Sequence, residues 1–269
     1  MTMTELTMAE LTMKTTPLSP FGTEISGLDV SALTPSGFDT LAGLIAKSRV
    51  VVVRHQPLDD SAFVAFLRGF GTLTFTAGET PVDNAPDLNI VSNRGRVTPP
   101  RSVFHTDTSY VTCPPSFTAL RPVILPTAGG DTLFSDQVSA AAGLPENVRR
   151  GLMGRTVLHQ TSGLGGQRQA TRQPLLRRHA ITGETSLFLS TPERCTDLSG
   201  ADAATSQRII SALYRRSTRA STLYRHAWQA GDILIWDNRV TMHRADHGNV
   251  TADRVLHRGM VAGEAPILA

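Results

Sequence analysis

The chain has 269 residues, 40% hydrophobic and 18% charged, with a formal net charge of +3. That length suits one domain with a buried core, and no stretch approaches the ~20 consecutive apolar residues of a membrane span. Two cysteines, Cys113 and Cys195, exclude a disulfide framework and read as buried free thiols.

Residues 1–16, rich in Met and Thr, carry Glu5 and Glu10 and lack the apolar stretch of a secretory signal. A flexible lead is expected there, followed by a single domain over 17–269 and a cytoplasmic location. Thr34 and then Pro35 cap a helix over 35–48 that places Phe38, Leu41, Leu44 and Ile45 on one face. The β-branched run Val50–Val53, bounded by Arg49 and Arg54, predicts a buried strand. Asp60 or Ser61 then caps a helix carrying Phe63, Phe66, Leu67 and Phe70, which Gly71 ends.

Beyond residue 70 the pattern changes to short extended segments, 117–124, 131–135, 186–190, 232–236 and 255–261, separated by Gly, Pro and Asn. These predict a β sandwich or barrel. One further helix is expected over 206–216, where Ile209, Ile210, Leu213 and Tyr214 share a face. Residues 161–173 read as a long loop, a feature that often serves as a lid. The pairs Arg149–Arg150, Arg177–Arg178 and Arg215–Arg216 belong on solvated faces. With lysine only at 14 and 47 and the arginines scattered, no basic stripe for nucleic acid forms.

Chemistry concentrates in His105-Thr106-Asp107. In an extended segment, residues two apart point to the same side, so this imidazole and carboxylate can converge on one ion. His243, just after the apolar strand ending in Trp236-Asp237, is the candidate third ligand. Two imidazoles and one carboxylate leave three octahedral positions open, as suits a non-haem iron(II) oxygenase. The rival zinc reading of His243 and His247 fails because no Glu follows His243 and Gly248-Asn249 cuts any helix short. His55, His159, His179, His226 and His257 form no pattern and read as structural or surface residues, with His159 the one that could face a substrate.

These motifs carry a resemblance. Pro17 to Asp29, the His105/Asp107 pair, Gly129-Gly130-Asp131-Thr132, Ala230 to Arg239, and Asp253 to Arg258 follow one another here. In this order the chain resembles the taurine and 2,4-dichlorophenoxyacetate dioxygenase family of 2-oxoglutarate-dependent oxygenases, over about residues 17–264. The intervals from His105 to Thr132 and from His243 to Arg254 also agree with the family.

The resemblance implies a double-stranded β helix, a jelly roll with helices on one side and the metal between its two sheets near an open end. It implies Fe(II), O2 and 2-oxoglutarate as co-substrate, with His105, Asp107 and His243 as metal ligands. It assigns Thr132 and Arg254 to the distal carboxylate of 2-oxoglutarate, where a planar guanidinium can grip through two parallel hydrogen bonds. Arg258, four residues after Arg254, matches the arginine that holds the anionic end of the substrate in sulfonate- and sulfate-oxidising relatives.

The activity implied is oxidation of a C–H bond of a small anionic substrate, a sulfonate, sulfate ester, aryloxy or other carboxylic acid, with release of succinate and CO2. The alternative is hydroxylation, desaturation or ring expansion of a natural-product acid. No histidine stands in 72–82, where Thr74-Phe75-Thr76 occurs, which argues against taurine itself. Asp107 argues against halogenation, since halogenating relatives replace that carboxylate. No nucleic-acid or membrane partner is expected, and a homo-oligomer is left open.

Overall fold

The computed structural model describes residues 13–95, 102–161, 169–248, 250 and 252–269. Strands β1 (Lys14–Pro17) and β2 (Thr23–Ser26) pair antiparallel, so the end of the stretch expected as a flexible lead is strand, and residues 1–12 lie outside the described ones. Helix α1 (Pro35–Ser48) starts where the sequence places it: the Thr34 hydroxyl accepts from the Gly37 N–H at 3.1 Å, and Pro35 has no N–H to satisfy. Strand β3 (Val50–Val53) is buried on both faces, as an unbroken valine run requires. Helix α2 (Asp60–Arg68) is capped one residue earlier than expected, by Asp59, which accepts from the Ala62 N–H at 2.8 Å. Short strands β4 (Leu73–Thr74) and β5 (Pro81–Val82) lead into β6 (Ala85–Ser92).

After β7 (Phe117–Ile124) and β8 (Thr132–Asp136) come two helices that the periodicity did not announce, α3 (Gln137–Ala142) and α4 (Glu146–Leu152). Each covers about two turns or fewer, too little for a 3.6-residue pattern to register. Then follow β9 (Thr156–Gln160), β10 (Ala170–Pro174), β11 (Leu176–Arg178), β12 (Thr185–Leu187) and β13 (Cys195–Leu198). Ala170–Pro174 pairs with β9, so the end of the expected 161–173 loop is strand, while 162–168 lie outside the described residues. Helix α5 (Ala203–Ser217) precedes β14 (Leu223–His226), β15 (Ile233–Asp237), β16 (Thr241–Ala245), β17 (Val255–Val261) and β18 (Ile267–Leu268).

A nine-stranded sheet runs β1-β2-β3-β15-β7-β17-β6-β5, with β4 on β17. The small sheet β14-β8-β16 packs across it, and Val50, Val52, Leu234, Trp236 and Leu256 meet Phe134 and Tyr224 between the two. This is the expected jelly roll. The outer face of the large sheet buries Val51, Val53 and Ile235 against Ile45 of α1 and Phe63 and Leu67 of α2. Helix α5 covers a separate core through Ile210 and Leu213, so helices flank more than the one side expected. Fully burying each such aliphatic or aromatic side chain contributes roughly 1.5–3 kcal/mol. No described helix is long and apolar enough to cross a membrane.

Two surface expectations fail. Arg177 is 2% exposed with its guanidinium over the Phe188 ring, because β11 is interior, whereas Arg178, on the opposite face of the pleat, is exposed. Cys195 is buried as expected, but Cys113 lies exposed in the irregular stretch before β7.

Candidate active site

The site lies between the two sheets, where the chain before β7 crosses the end of β16. His105 and His243 exchange backbone hydrogen bonds, N–H to O at 3.0 and 2.9 Å, in an isolated antiparallel bridge. Their rings come within 4.4 Å, centroid to centroid. The pleat expected to align His105 with Asp107 is absent. Residues 107–110 instead form a turn in which Thr108 adopts φ +37°, a conformation that β-branched residues avoid and that tends to persist at functional sites. That turn brings Asp107 Oδ1 to 3.7 Å from His105 Nε2 and 3.9 Å from His243 Nε2.

The ring orientations are set by the protein. His105 Nδ1 lies 3.0 Å from the Val103 carbonyl oxygen, which fixes the proton there and leaves the Nε2 lone pair facing Asp107. Trp236 packs on the His243 ring at 4.5 Å between centroids. A relay that no sequence motif announced holds the carboxylate. The Thr118 hydroxyl donates to Asp107 Oδ2 at 2.8 Å, the Asn238 amide donates to Thr118 Oγ1 at 2.6 Å, and the Trp236 indole donates to Asn238 Oδ1 at 3.0 Å. Asn238 lies inside the Ala230–Arg239 motif, so part of that motif's role was in view, but its partner Thr118 sits in an ordinary strand.

Protonation states follow from burial and charge. Burial pushes the His243 imidazole down to about 3 and lowers His105, against the pull of Asp107 on both. Burial alone would raise the Asp107 carboxyl, but Arg258, the two histidines and the Thr118 hydroxyl hold it well below the usual carboxylate range. Two neutral imidazoles and one carboxylate therefore face one another at neutral pH, with ligand atoms all within 4.8 Å. This donor set, open on its cavity side, fits a ferrous ion.

A cavity of about 360 Å³ opens from the triad. Thr132, Arg254 and Arg258 line it together with His105, Asp107 and His243. Arg254 is 2% exposed and has no carboxylate within ion-pair distance among the described residues. Its Nε donates to the Gly130 carbonyl at 2.7 Å, and Nη2 donates to Thr132 Oγ1 at 3.3 Å. Burial lowers Arg254 to about 10, with Asp131 opposing, so it remains a cation at neutral pH. Gly130 explains the diglycine: at φ +79° it lets the arginine cross, and a Cβ there would stand 2.9 Å from Arg254 Cδ. Trp228, which was not anticipated, donates to Thr132 Oγ1 at 3.1 Å and orients it.

Arg258 also reaches the cavity, but with partners. Nη1 donates to Asp107 Oδ1 at 3.2 Å, and Nη2 donates to the Glu79 carboxylate. Burial would lower Arg258, yet Asp107 and Glu79 raise it. His159 does not face the cavity. It is fully buried, stacked on Phe188 at 5.4 Å and beside the Cys195 thiol. His179, His226 and His257 are bound to Asp237, Asp232 and Asp60. Thr241–Ala245 is strand, which removes the helical zinc reading.

The model of the taurine catabolism dioxygenase TauD, TfdA family matches residues 14–260. The alpha-ketoglutarate-dependent 2,4-dichlorophenoxyacetate dioxygenase of Burkholderia sp. (strain RASC) is 30% identical over 264 residues, 86% of this chain and 88% of that protein. The alpha-ketoglutarate-dependent sulfate ester dioxygenase of Pseudomonas putida is 28% identical and covers 91% of this chain and 88% of its own. A solved taurine dioxygenase from Burkholderia xenovorans superposes with a TM-score of 0.85 at 30% identity, over 96% of this chain and 93% of that one. With the family model matched over residues 14–260 and a 30%-identical relative covered along most of its length, the chain belongs to the TauD/TfdA dioxygenase family.

Proposed function

We propose that His105, Asp107 and His243 hold the ferrous ion of this 2-oxoglutarate-dependent dioxygenase, that Thr132 and Arg254 hold the distal carboxylate of 2-oxoglutarate, and that Arg258 receives the anionic end of the substrate. When bound, iron and 2-oxoglutarate would activate dioxygen for oxidation of a C–H bond, one oxygen atom passing into succinate as CO2 is released and the other going to the substrate. Everything else is binding and orientation by the chain.

One observation carries the reading: Arg254, buried, cationic and with no carboxylate within ion-pair distance among the described residues, lies beside Thr132 in the cavity that the triad opens. A buried guanidinium is costly unless paired, so an anion delivered by a ligand is its natural partner. A five-carbon diacid set across the cavity meets Arg254 at one end and the metal residues at the other. The Gly130 carbonyl and Thr132 hydroxyl fix the guanidinium plane for two parallel hydrogen bonds.

The charge of the cavity supports an anionic substrate. Among the described residues, Arg194, Arg254 and Arg258 line it against Asp107 and Glu79. A doubly charged metal ion and a doubly charged 2-oxoglutarate cancel, so the arginines of the lining keep the cavity favourable to an anionic substrate: a sulfonate, sulfate ester or aryloxy acid. The test is a panel of such anions with iron(II), 2-oxoglutarate and oxygen, scored by succinate release. Arg254→Met is expected to raise the KM for 2-oxoglutarate on the order of a hundredfold while iron binding persists. An unchanged KM refutes the assignment.

A further inference from the structure

Resting on the reading of Arg258 as substrate anchor, we infer that Glu79 is a resident stand-in for the substrate's anionic group, and that substrate binds by displacing it. Glu79 sits in residues 75–80, between β4 and β5, and its carboxylate accepts from Arg258 Nη2 inside the cavity. Arg258 Nη1 is already bound to Asp107, so Glu79 occupies the part of the fork that an incoming anion needs.

Two features mark Glu79 as a replaceable occupant rather than a structural partner. Its side chain is 38% exposed, so water can take over the carboxylate when it leaves Arg258, which is itself buried. The neighbouring Gly78, at φ +84°, has nothing within 4 Å of where a Cβ would stand, so the backbone beside Glu79 borders open space. Glu79 is also an incomplete occupant. Arg258 Nε remains buried with no hydrogen-bond partner among the described residues. Asn89, directly across from Arg258 in the β6–β17 pairing and 0% exposed, likewise has neither amide atom satisfied. Residues directly opposite in an antiparallel pair share a face, so Asn89 and Arg258 belong to one under-satisfied polar neighbourhood beside the cavity wall. A sulfonate or sulfate, with three acceptor oxygens, can offer the Arg258 fork more than the single Glu79 oxygen that now accepts from it. Glu79 thereby sets specificity: a strong anion competes for Arg258, whereas a neutral molecule leaves the internal pair closed.

The test uses methanesulfonate as probe, titrated calorimetrically into the full chain loaded anaerobically with iron(II) and saturating 2-oxoglutarate, which keeps the probe off Arg254. Glu79→Gln, and Glu79→Ala as a second variant, are expected to tighten methanesulfonate binding about tenfold by removing the internal competitor. Arg258→Met is expected to abolish it. If Arg258→Met abolishes binding but neither Glu79 variant tightens it, displacement is overturned and the anchor stands. If Arg258→Met binds as the parent does, the anchor reading falls and displacement with it. Weakening confined to an aminosulfonate such as taurine in the Glu79 variants makes Glu79 an ammonium subsite and also overturns displacement.

Discussion

Thr118→Val removes one hydroxyl from beneath the metal triad while keeping the shape of the side chain. That hydroxyl donates to Asp107 Oδ2 at 2.8 Å and accepts from the Asn238 amide at 2.6 Å, so the change breaks two links of the relay at once. A hydrogen bond to a charged carboxylate is worth about 1.5–3 kcal/mol, and outer hydrogen-bond partners of metal ligands typically govern metal affinity by about 10–100-fold. Orphaning the buried Asn238 amide costs the fold a further ~1–3 kcal/mol, which for a chain of this size lowers the melting temperature by roughly 2–12 °C. Anaerobic calorimetric titration with iron(II) measures the first effect and scanning calorimetry the second, with Thr118→Ser, which retains the hydroxyl, expected to behave as the parent in both. If the valine protein binds iron within twofold of the parent, the relay does not position Asp107 and the reasoning is wrong.

Gly130→Ala places a methyl 2.9 Å from Arg254 Cδ on a backbone at φ +79° and is expected to raise the KM for 2-oxoglutarate on the order of tenfold, read from succinate formation. His159, pushed by burial from 6.5 down to about 3, binds its proton more readily in the unfolded chain. Stability should therefore fall with pH between 6.5 and about 3, by up to about 1.4 kcal/mol per pH unit, and His159→Phe should flatten that slope in urea titrations across the range. Arg177 has Nε and Nη1 buried without partners among the described residues, so Arg177→Met is expected to leave the melting temperature unchanged or higher. A melting temperature lower by more than about 5 °C would show that its contacts with Phe188 and Glu264 outweigh desolvation.

Where the sequence was legible, a single strong pattern spoke for itself. Thr34-Pro35 marked the start of α1, four consecutive valines marked a doubly buried strand, and β7, β15 and β17 fell within a residue of the extended segments read from composition. His105, Asp107 and His243, and Thr132 with Arg254, could be singled out in the sequence because metal and carboxylate chemistry admits few residue types, and the fold brings the members of each set together. Interactions made by common residues left no such trace. Thr118, Trp228 and Glu79 look like any strand threonine, loop tryptophan or surface glutamate until the fold brings them beside Asp107, Thr132 and Arg258. Arg177 was misplaced for the converse reason: arginine is usually solvated, and only the packing of β11 against Phe188 overrides that tendency.

The paired backbone hydrogen bonds between His105 and His243 have a consequence for metal exchange. Because this backbone bridge sets the separation of the two imidazoles, the seat proposed for the ion is expected to be preassembled, with folding independent of the metal. A chelator should silence such an enzyme without melting it, and adding iron back should restore it with no refolding step, unlike small zinc domains whose structure disappears with their metal.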